Sequence, residues 1–434
     1  MVSMRRWAVW IGVPLLALAS LLWGLHRWIG SDDFRARLGA VASETLGAPV
    51  RAERLSLALW PLPAVAVDGL RIEARTPLSL QRVELRPQWG PLLRGRVQVQ
   101  TLVVRNAVLP EATIALIGAR LNQGKPAGKP AASGDGEAID FSVLPRELVL
   151  DHVTWVAADG TRTGFDAAMT LDADGWPHRA DAAIVAGAHK GAELQLRRQD
   201  AATAWQLQVR IGGGHIRGPL NVTLPAADAR ERRVTLKGRL QTEGVEVAAL
   251  TAPSRPLSGS LQAETDISAQ FSERVSAEAL VAALRTDTSF TVREATLNGL
   301  DLAKAVTTVG LSRGGLTRLD TLAGRVATRG KAIQLSNLVA SSGALAATGE
   351  VAISPSRALS GRVRVDMTRG KGGQVVGVPL AVGGTVNEPQ VTLTRAALLG
   401  AAVGTVVMPG VGTGAGANLG DRLGEGLKGL LGKP

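Results

Sequence analysis

One stretch of the sequence has residue types and a spacing that fit a catalytic motif. Residues 310–314 read GLSRG, which matches the G-x-S-x-G pattern of a serine nucleophile on a sharp strand-to-helix turn. That fold places its histidine after the serine in the chain. Here all five histidines precede Ser312, namely His26, His152, His178, His189 and His215. We therefore expect no serine hydrolase.

Other chemistries are equally poorly supported by the residues. The histidines show no spacing of two to four residues, so no metal site is indicated. The absence of cysteine excludes disulfides, thiol catalysis and thiolate-bound metal. The GVGTGA stretch at 410–415 fits part of a dinucleotide fingerprint, but the sequence ends at Pro434, before the required second strand and acidic residue. We expect no catalytic residue, no cofactor and no metal, and hence no enzyme.

The composition points to a strand-rich protein rather than a nucleic-acid binder. Hydrophobic residues make up 45% and aromatic residues only 3%, and there are 51 glycines, which suits many short strands joined by turns. The formal net charge of +12 permits anionic partners. However, the basic residues are dispersed among acids, without aromatic residues to stack on bases. We therefore expect no nucleic-acid partner.

The first thirty residues have the pattern of a membrane anchor. As a helix, residues 7–29 would be about 35 Å long, enough to cross a hydrocarbon core of about 30 Å. Arg5 and Arg6 precede this segment, and Asp32 and Asp33 follow it, so the positive-inside rule places the rest of the chain outside the cytoplasm. The expected anchor residues are Trp7, Trp10, Leu15, Leu16, Leu21, Leu22, Trp23 and Trp28.

The alternative is a signal peptide cleaved near the ALAS stretch at 17–20. The apolar run continues beyond that point, which favours an uncleaved single-pass anchor. We expect a protein of the cell inner membrane, with the bulk of its chain in the periplasm.

The remaining sequence is divided by changes in periodicity. Residues 31–47 predict a short helix, and from Val50 onward apolar residues alternate with polar ones as in strands. The alternation slips at Asp68-Gly69, which predicts a bulge or turn. The expected segments are an anchor (1–30), an N-terminal helix and strands (31–121), a flexible linker (122–138), a β body (139–395) and a glycine-rich tail (396–434).

The body contains the clearest strand patterns. In residues 233–240, 259–271 and 359–368 every second residue is apolar or small, with polar residues between, which is typical of an antiparallel sheet with one solvent-exposed face. Only residues 276–284 and 300–309 predict helices there. Fifteen to twenty strands would thus present an apolar face that few helices can cover. Either the sheet folds on itself as a sandwich or barrel, or it curls into a trough that accepts an apolar ligand.

The tail is uncharged from Ala396 to Asn418. Glycines recur there at every fourth residue, a spacing that lets helices approach closely in membranes. Two interpretations stay open: a segment that inserts in a membrane or plugs the trough, or a plain glycine-rich terminus. The glycines concerned are Gly412, Gly416, Gly420 and Gly424.

Three portions of the chain resemble the AsmA family of bacterial envelope proteins. The first is the anchor followed by the helix and LGAPVRAERLSLALWPLPAVAVDGLRIEA; the second is FTVREATLNGLDLAKAV at 290–306. The third runs from LVASSGALAATGEVAIS through LSGRVRVDM to VGVPLAVGGTVNEPQVTL. None of these motifs is catalytic, and residues 138–250 match only in being rich in strands.

The resemblance implies a periplasmic protein anchored in the inner membrane, mainly β, with an elongated, curled antiparallel sheet that forms a groove. Its partners would be membrane phospholipid and possible further envelope proteins, and its role would lie in phospholipid transport or outer-membrane homeostasis. The alternative is a scaffold that modulates outer-membrane protein assembly and carries no lipid. The residues expected to line the groove are Leu57, Leu59, Val65, Val67, Leu70, Ile72, Leu236, Leu261, Ile267, Phe271, Val363 and Val365.

Overall fold

The structure is a computed structural model, and it describes most of the chain between residues 48 and 394. The described residues are 36, 39–40, 43, 48–58, 64–88, 98–123, 145–172, 175–199, 203–224, 233–272, 277–307, 314–343, 345–369, 374–394 and 397. The predicted anchor and the tail glycines lie outside them. Within the predicted helix at 31–47, the described residues 36, 39, 40 and 43 are helical, and the Ser43 hydroxyl donates to the Gly39 carbonyl at 2.5 Å.

The fold is mainly β, as predicted, and the chain divides into two compact units between Arg197 and Arg198. This boundary falls inside the predicted β body of residues 139–395. The predicted linker at 122–138 does not separate the units, because the strands on either side of it pair directly with each other.

Besides the helical residues 36, 39, 40 and 43, unit 1 contains nine strands and one further described helix. The strands are β1 (Val50–Arg51), β2 (Arg54–Ala58), β3 (Ala64–Ile72), β4 (Leu78–Pro87), β5 (Val99–Pro110), β6 (Glu147–Val156), β7 (Arg162–Leu171), β8 (Pro177–Ala186) and β9 (Glu193–Arg198). Both β1 and β2 pair with β3, and β3 to β9 then pair in chain order. All pairs are antiparallel except β5–β6, which is parallel.

The parallel pair requires a crossover, and helix α1 (Glu111–Gln123) begins it. Pro110 precedes this helix, and Glu111 lies in its first turn, where a carboxylate interacts favourably with the helix dipole. Ile114 and Ile117 of α1 pack against Ile72 and Leu78 in one hydrophobic cluster. The helix therefore covers one end of the apolar side of the sheet.

Unit 2 is an antiparallel meander with three short described helices. Its strands are β10 (Ala204–Ile211), β11 (Gly214–Thr223), β12 (Arg233–Glu246), β13 (Leu257–Ser272), β14 (Arg285–Asn298), β15 (Leu316–Arg329), β16 (Ala332–Ser342), β17 (Leu345–Ile353), β18 (Leu359–Arg369), β19 (Gln374–Gly384) and β20 (Pro389–Leu393). Its helices are α2 (Val247–Leu250), α3 (Ala277–Ala283) and α4 (Leu302–Thr307).

Helices α3 and α4 confirm the two helices predicted in the body. Helix α4 begins where the Asp301 carboxylate accepts a hydrogen bond from the Lys304 amide at 2.8 Å, a normal N-cap contact. The buried Thr317 hydroxyl secures the same turn, because it donates to the Leu300 carbonyl and accepts from the Leu302 amide. Leu302 and Ala305 of α4 are thereby held within the main hydrophobic core of unit 2.

Candidate functional site

The apolar side of unit 1 is a continuous surface across seven strands. Residues that face each other in neighbouring strands share one side of the sheet, so the strand registers define rows. Two rows cross β3 to β9: Val65, Leu85, Leu102, Leu148, Met169, Ala180 and Leu196; and Val67, Val83, Val104, Leu150, Ala167, Ala182 and Leu194. No charged or hydrogen-bonding side chain lies in either row. We call them the unit 1 apolar face.

Most side chains of the unit 1 apolar face are only half-buried. Val104 is the single buried member, at 9% exposure, and Leu194 is exposed at 37%. The remaining members lie between these limits. A sheet side that its own protein covered completely would bury such aliphatic residues, so part of this face is accessible to a ligand.

The apolar side continues past an interruption in the alternation. Gly69 in β3, Asn106 in β5 and His152 in β6 have left-handed backbone angles, with φ of +65°, +49° and +54°. Beyond them the apolar residues resume at a spacing of three, as from Val104 to Ala107, and both belong to one hydrophobic cluster with Val153. The slip predicted at Asp68-Gly69 is thus confirmed at Gly69. A left-handed residue breaks the two-residue period and so keeps both halves of the strand facing the same way.

The opposite side of unit 1 carries a buried carboxylate among arginines. The Glu84 side chain is 8% exposed. It accepts hydrogen bonds from Arg82 Nε at 2.8 Å, Arg105 Nη1 at 3.1 Å and Arg86 Nη2 at 3.3 Å. Burial by itself would raise the pKa of Glu84, but the Arg82 hydrogen bond and the charges of Arg105 and Arg82 outweigh it, and the pKa lies below its usual value. The sequence gives no sign of this cluster.

In unit 2 the polar and the apolar residues are divided between the two sides of the sheet more sharply than in unit 1. In β13 the residues Gln262, Glu264, Asp266, Ser268 and Gln270 are exposed, whereas the alternate residues are half-buried or buried. The alternate residues form rows with the neighbouring strands, and we call two of these rows the unit 2 apolar face. They are Leu240, Thr265, Thr288, Val326, Leu335 and Val351; and Gly238, Ile267, Thr286, Thr328, Ile333 and Ile353.

The threonines of the unit 2 apolar face form hydrogen bonds with one another across neighbouring strands. Thr265 and Thr288 share a hydrogen bond of 3.0 Å, and Thr286 and Thr328 share one of 2.6 Å. In each pair one hydroxyl donates and the other accepts, so each of the four hydroxyl groups takes part in one hydrogen bond. This pairing lowers the cost of covering the face with hydrocarbon, because every one of the four hydroxyl groups makes a hydrogen bond within the sheet.

One end of the apolar side of unit 2 is sealed. Val292, Ala347, Val365 and Leu380 have exposures of 1%, 5%, 0% and 0%, and they join one core with Leu302 and Ala305 of α4. The β19–β20 turn also contacts the end of the sheet near α2, where the Ser254 hydroxyl donates to Asn387 Oδ1 at 2.6 Å. At this end, the described residues form a packed core in place of a trough.

The predicted lining residues accordingly divide into three groups. Val65, Val67, Leu70, Leu236, Leu261, Ile267, Phe271 and Val363 are half-buried on the apolar sides. Ile72 and Val365 are buried in closed clusters at 5% and 0% exposure, so neither lines an accessible surface. Leu57 lies in β2 opposite Val65, and Leu59 lies outside the described residues.

A small group of metal-ligand types forms where β6 and β7 pair, which brings Asp166 beside the adjacent residues Asp151 and His152. Ligand atoms of Asp151, His152 and Asp166 lie within 4.8 Å of one another. Asp166 accepts a hydrogen bond from the His152 amide at 2.7 Å, and Asp151 contacts His152 Nδ1 at 2.6 Å. These contacts stabilise the left-handed conformation of His152. His152 is exposed and the two aspartates are half-buried, and local backbone support accounts for the geometry of the group.

Across the described part of the chain, no helix combines the length and the hydropathy that a membrane span requires. The predicted anchor at residues 7–29 is outside that part. Comparison of the chain with protein-family models, with curated proteins and with solved structures gave no match.

Proposed function

We propose that this protein binds lipid acyl chains on the apolar faces of its two units, as an inner-membrane-anchored periplasmic member of the AsmA family. In this proposal each face is the floor of a curled groove, and the bound lipid is phospholipid on its way between membranes. The role would be phospholipid transport or outer-membrane homeostasis. No catalytic step is involved.

The observation that carries the proposal is a wide, uncharged sheet surface that is left half-buried. In the unit 1 apolar face every member is an aliphatic or methionine side chain, across seven strands. Removing one acyl CH₂ from water contributes about 0.8 kcal/mol, so a long chain gains substantially from such a surface without any specific polar contact. Small residues such as Ala167 and Ala182 leave room above the backbone.

The threonine pairs of unit 2 favour hydrocarbon over a polar ligand or a peptide strand. A peptide or a sugar would offer donors and acceptors, and the hydroxyls at Thr265, Thr288, Thr286 and Thr328 already have partners in the sheet. A hydrocarbon chain needs no hydrogen-bond partner. Pairing within the sheet lowers the cost of removing these hydroxyls from water.

Site-specific photocross-linking in the membrane-bound, full-length protein tests the proposal. A photoreactive amino acid replaces Ile267 on the unit 2 apolar face, and the matched control replaces its exposed neighbour Ser268 on the other side of β13. We expect phospholipid adducts at Ile267 and few at Ser268. Capture of protein at Ile267 would favour the scaffold alternative, and equal lipid capture at both positions would remove the proposal.

A further inference from the structure

A six-residue pattern recurs in both units. It consists of an apolar residue or threonine, a polar residue, a residue with left-handed backbone, an apolar residue, any residue and an apolar residue. It occurs as VDGLRI (67–72), VRNAVL (104–109) and LDHVTW (150–155) in unit 1, and as TEGVEV (242–247), VREATL (292–297) and LSNLVA (335–340) in unit 2. The third residue has φ between +49° and +66° in all six.

The pattern has the same effect on the direction of the side chains in each of these strands. The left-handed residue offsets the alternation by one position, so that apolar residues three apart lie on one side of the strand. In β5 these are Val104 and Ala107, and in β14 they are Val292 and Ala295; each pair shares a hydrophobic cluster. Those two strands agree at four of the six positions, and each leads into a helix, α1 or α4.

In each unit the pattern also separates a closed region from an accessible one. Beyond the left-handed residue, apolar residues pack with a helix: Leu109 with Ile114 of α1, and Ala295 with Leu302 of α4. Further before it, residues on the same side of the strands stay half-buried and outside these clusters, as Leu148 in β6 and Thr288 in β14 do. Both units therefore contain the same parts in the same order.

We infer that each unit is a complete acyl-binding module, so that one chain holds at least two lipid molecules at separate sites. This inference rests on the proposed function. Each module supplies its own sealed end, its own half-buried face and no charge on that face. The occupant of each is a hydrocarbon chain, because neither face carries a charged side chain in its two rows, and the threonine hydroxyls of the unit 2 apolar face are hydrogen-bonded to one another.

The number and position of bound lipids test this inference. The full-length protein is incubated with a phosphatidylethanolamine that carries a diazirine in one acyl chain, irradiated and analysed by intact mass and peptide mapping. We expect two adducts per chain at saturation, one mapping to each unit. Met169→Glu should remove only the unit 1 adduct, and Ile267→Glu only the unit 2 adduct. The controls Ala168→Glu and Ser268→Glu, at exposed positions on the opposite side, should retain both.

Several results would overturn the two-module inference. Loss of both adducts in either single variant would indicate one shared site, and adducts confined to one unit would indicate a single module. Both results would leave the proposed function standing, whereas absence of lipid from both units in the wild-type chain would remove it. If a glutamate variant fails to fold, the peptide map of the wild-type protein alone decides. The inference requires that chains with two adducts carry one adduct in each unit.

Discussion

The Glu84 cluster allows a worked prediction of stability. The perturbation is Glu84→Gln, which keeps the size of the side chain and removes its charge. The carboxylate is 8% exposed and accepts hydrogen bonds from Arg82, Arg86 and Arg105, whose side chains are 37%, 31% and 44% exposed. Loss of the charge leaves three guanidinium groups facing a neutral amide in a buried position.

The magnitude follows from burial and solvent screening. Removing one partner of a fully buried ion pair costs about 3–5 kcal/mol. Water partly solvates the three arginines here, which lowers the cost, since exposed pairs contribute only about 0–1 kcal/mol. We expect a loss of about 2–3 kcal/mol. For a unit of this size, that corresponds to a fall in Tm of roughly 5–10 °C.

Thermal unfolding monitored by circular dichroism measures this effect. The matched control is Glu73→Gln in the same unit, because Glu73 pairs with Arg51 at 3.3 Å while remaining 49% exposed. The control should change the free energy of unfolding by less than about 0.5 kcal/mol. If Glu84→Gln lowers Tm no more than Glu73→Gln does, the cluster has no special stabilising role.

Three further predictions concern pH, backbone strain and packing. Because the folded-state pKa of Glu84 lies below its ordinary value of 4.5, its stabilising contribution is complete above pH 4.5 and disappears as the pH falls through the lower folded value. Wild-type Tm should therefore fall more steeply in acid than that of Glu84→Gln, and parallel curves would contradict this. Glu294 is exposed and has a left-handed backbone with φ of +53°. In urea titrations Glu294→Gly should therefore be neutral or stabilising by up to about 1 kcal/mol, whereas Glu294→Val should destabilise by more than about 1 kcal/mol. Equal free energies of unfolding for the two variants would exclude backbone strain at this position. Val365→Ala, at 0% exposure, should cost about 2 kcal/mol, and Val363→Ala, which is half-buried, about 1 kcal/mol or less; the reverse order would contradict the sealed core.

Local patterns were sufficient to predict much of the fold. The alternation in β12, β13 and β18 predicts both the strands and their solvent-exposed sides, because a two-residue period is typical of a β-strand and of no other regular structure. The slip at Asp68-Gly69 was visible because glycine tolerates the left-handed conformation. The corresponding positions at Asn106, His152 and Glu294 were not predicted, since only the spacing of apolar residues marks them.

Features that depend on distant pairing were not predictable in this way. The unit boundary at Arg197/Arg198 was missed because the low-complexity segment at 122–138 has the composition of a linker, although β5 and β6 on either side pair directly. Helix α1 was missed despite Pro110 and Glu111 at its start. Val365 alternates like an accessible lining residue, and its burial depends on α4, some sixty residues earlier in the chain. Glu84 lies among arginines in the sequence and therefore resembles an ordinary solvated residue.

The central claim, that acyl chains contact the apolar faces, is tested most directly by short-range fluorescence quenching. The chain contains no cysteine, so Ile267→Cys and Ser268→Cys each accept a single fluorophore on opposite sides of β13. Phospholipid vesicles with brominated acyl chains then serve as the quencher. We predict strong quenching at position 267 and little at position 268; equal quenching, or none at position 267, would contradict the account.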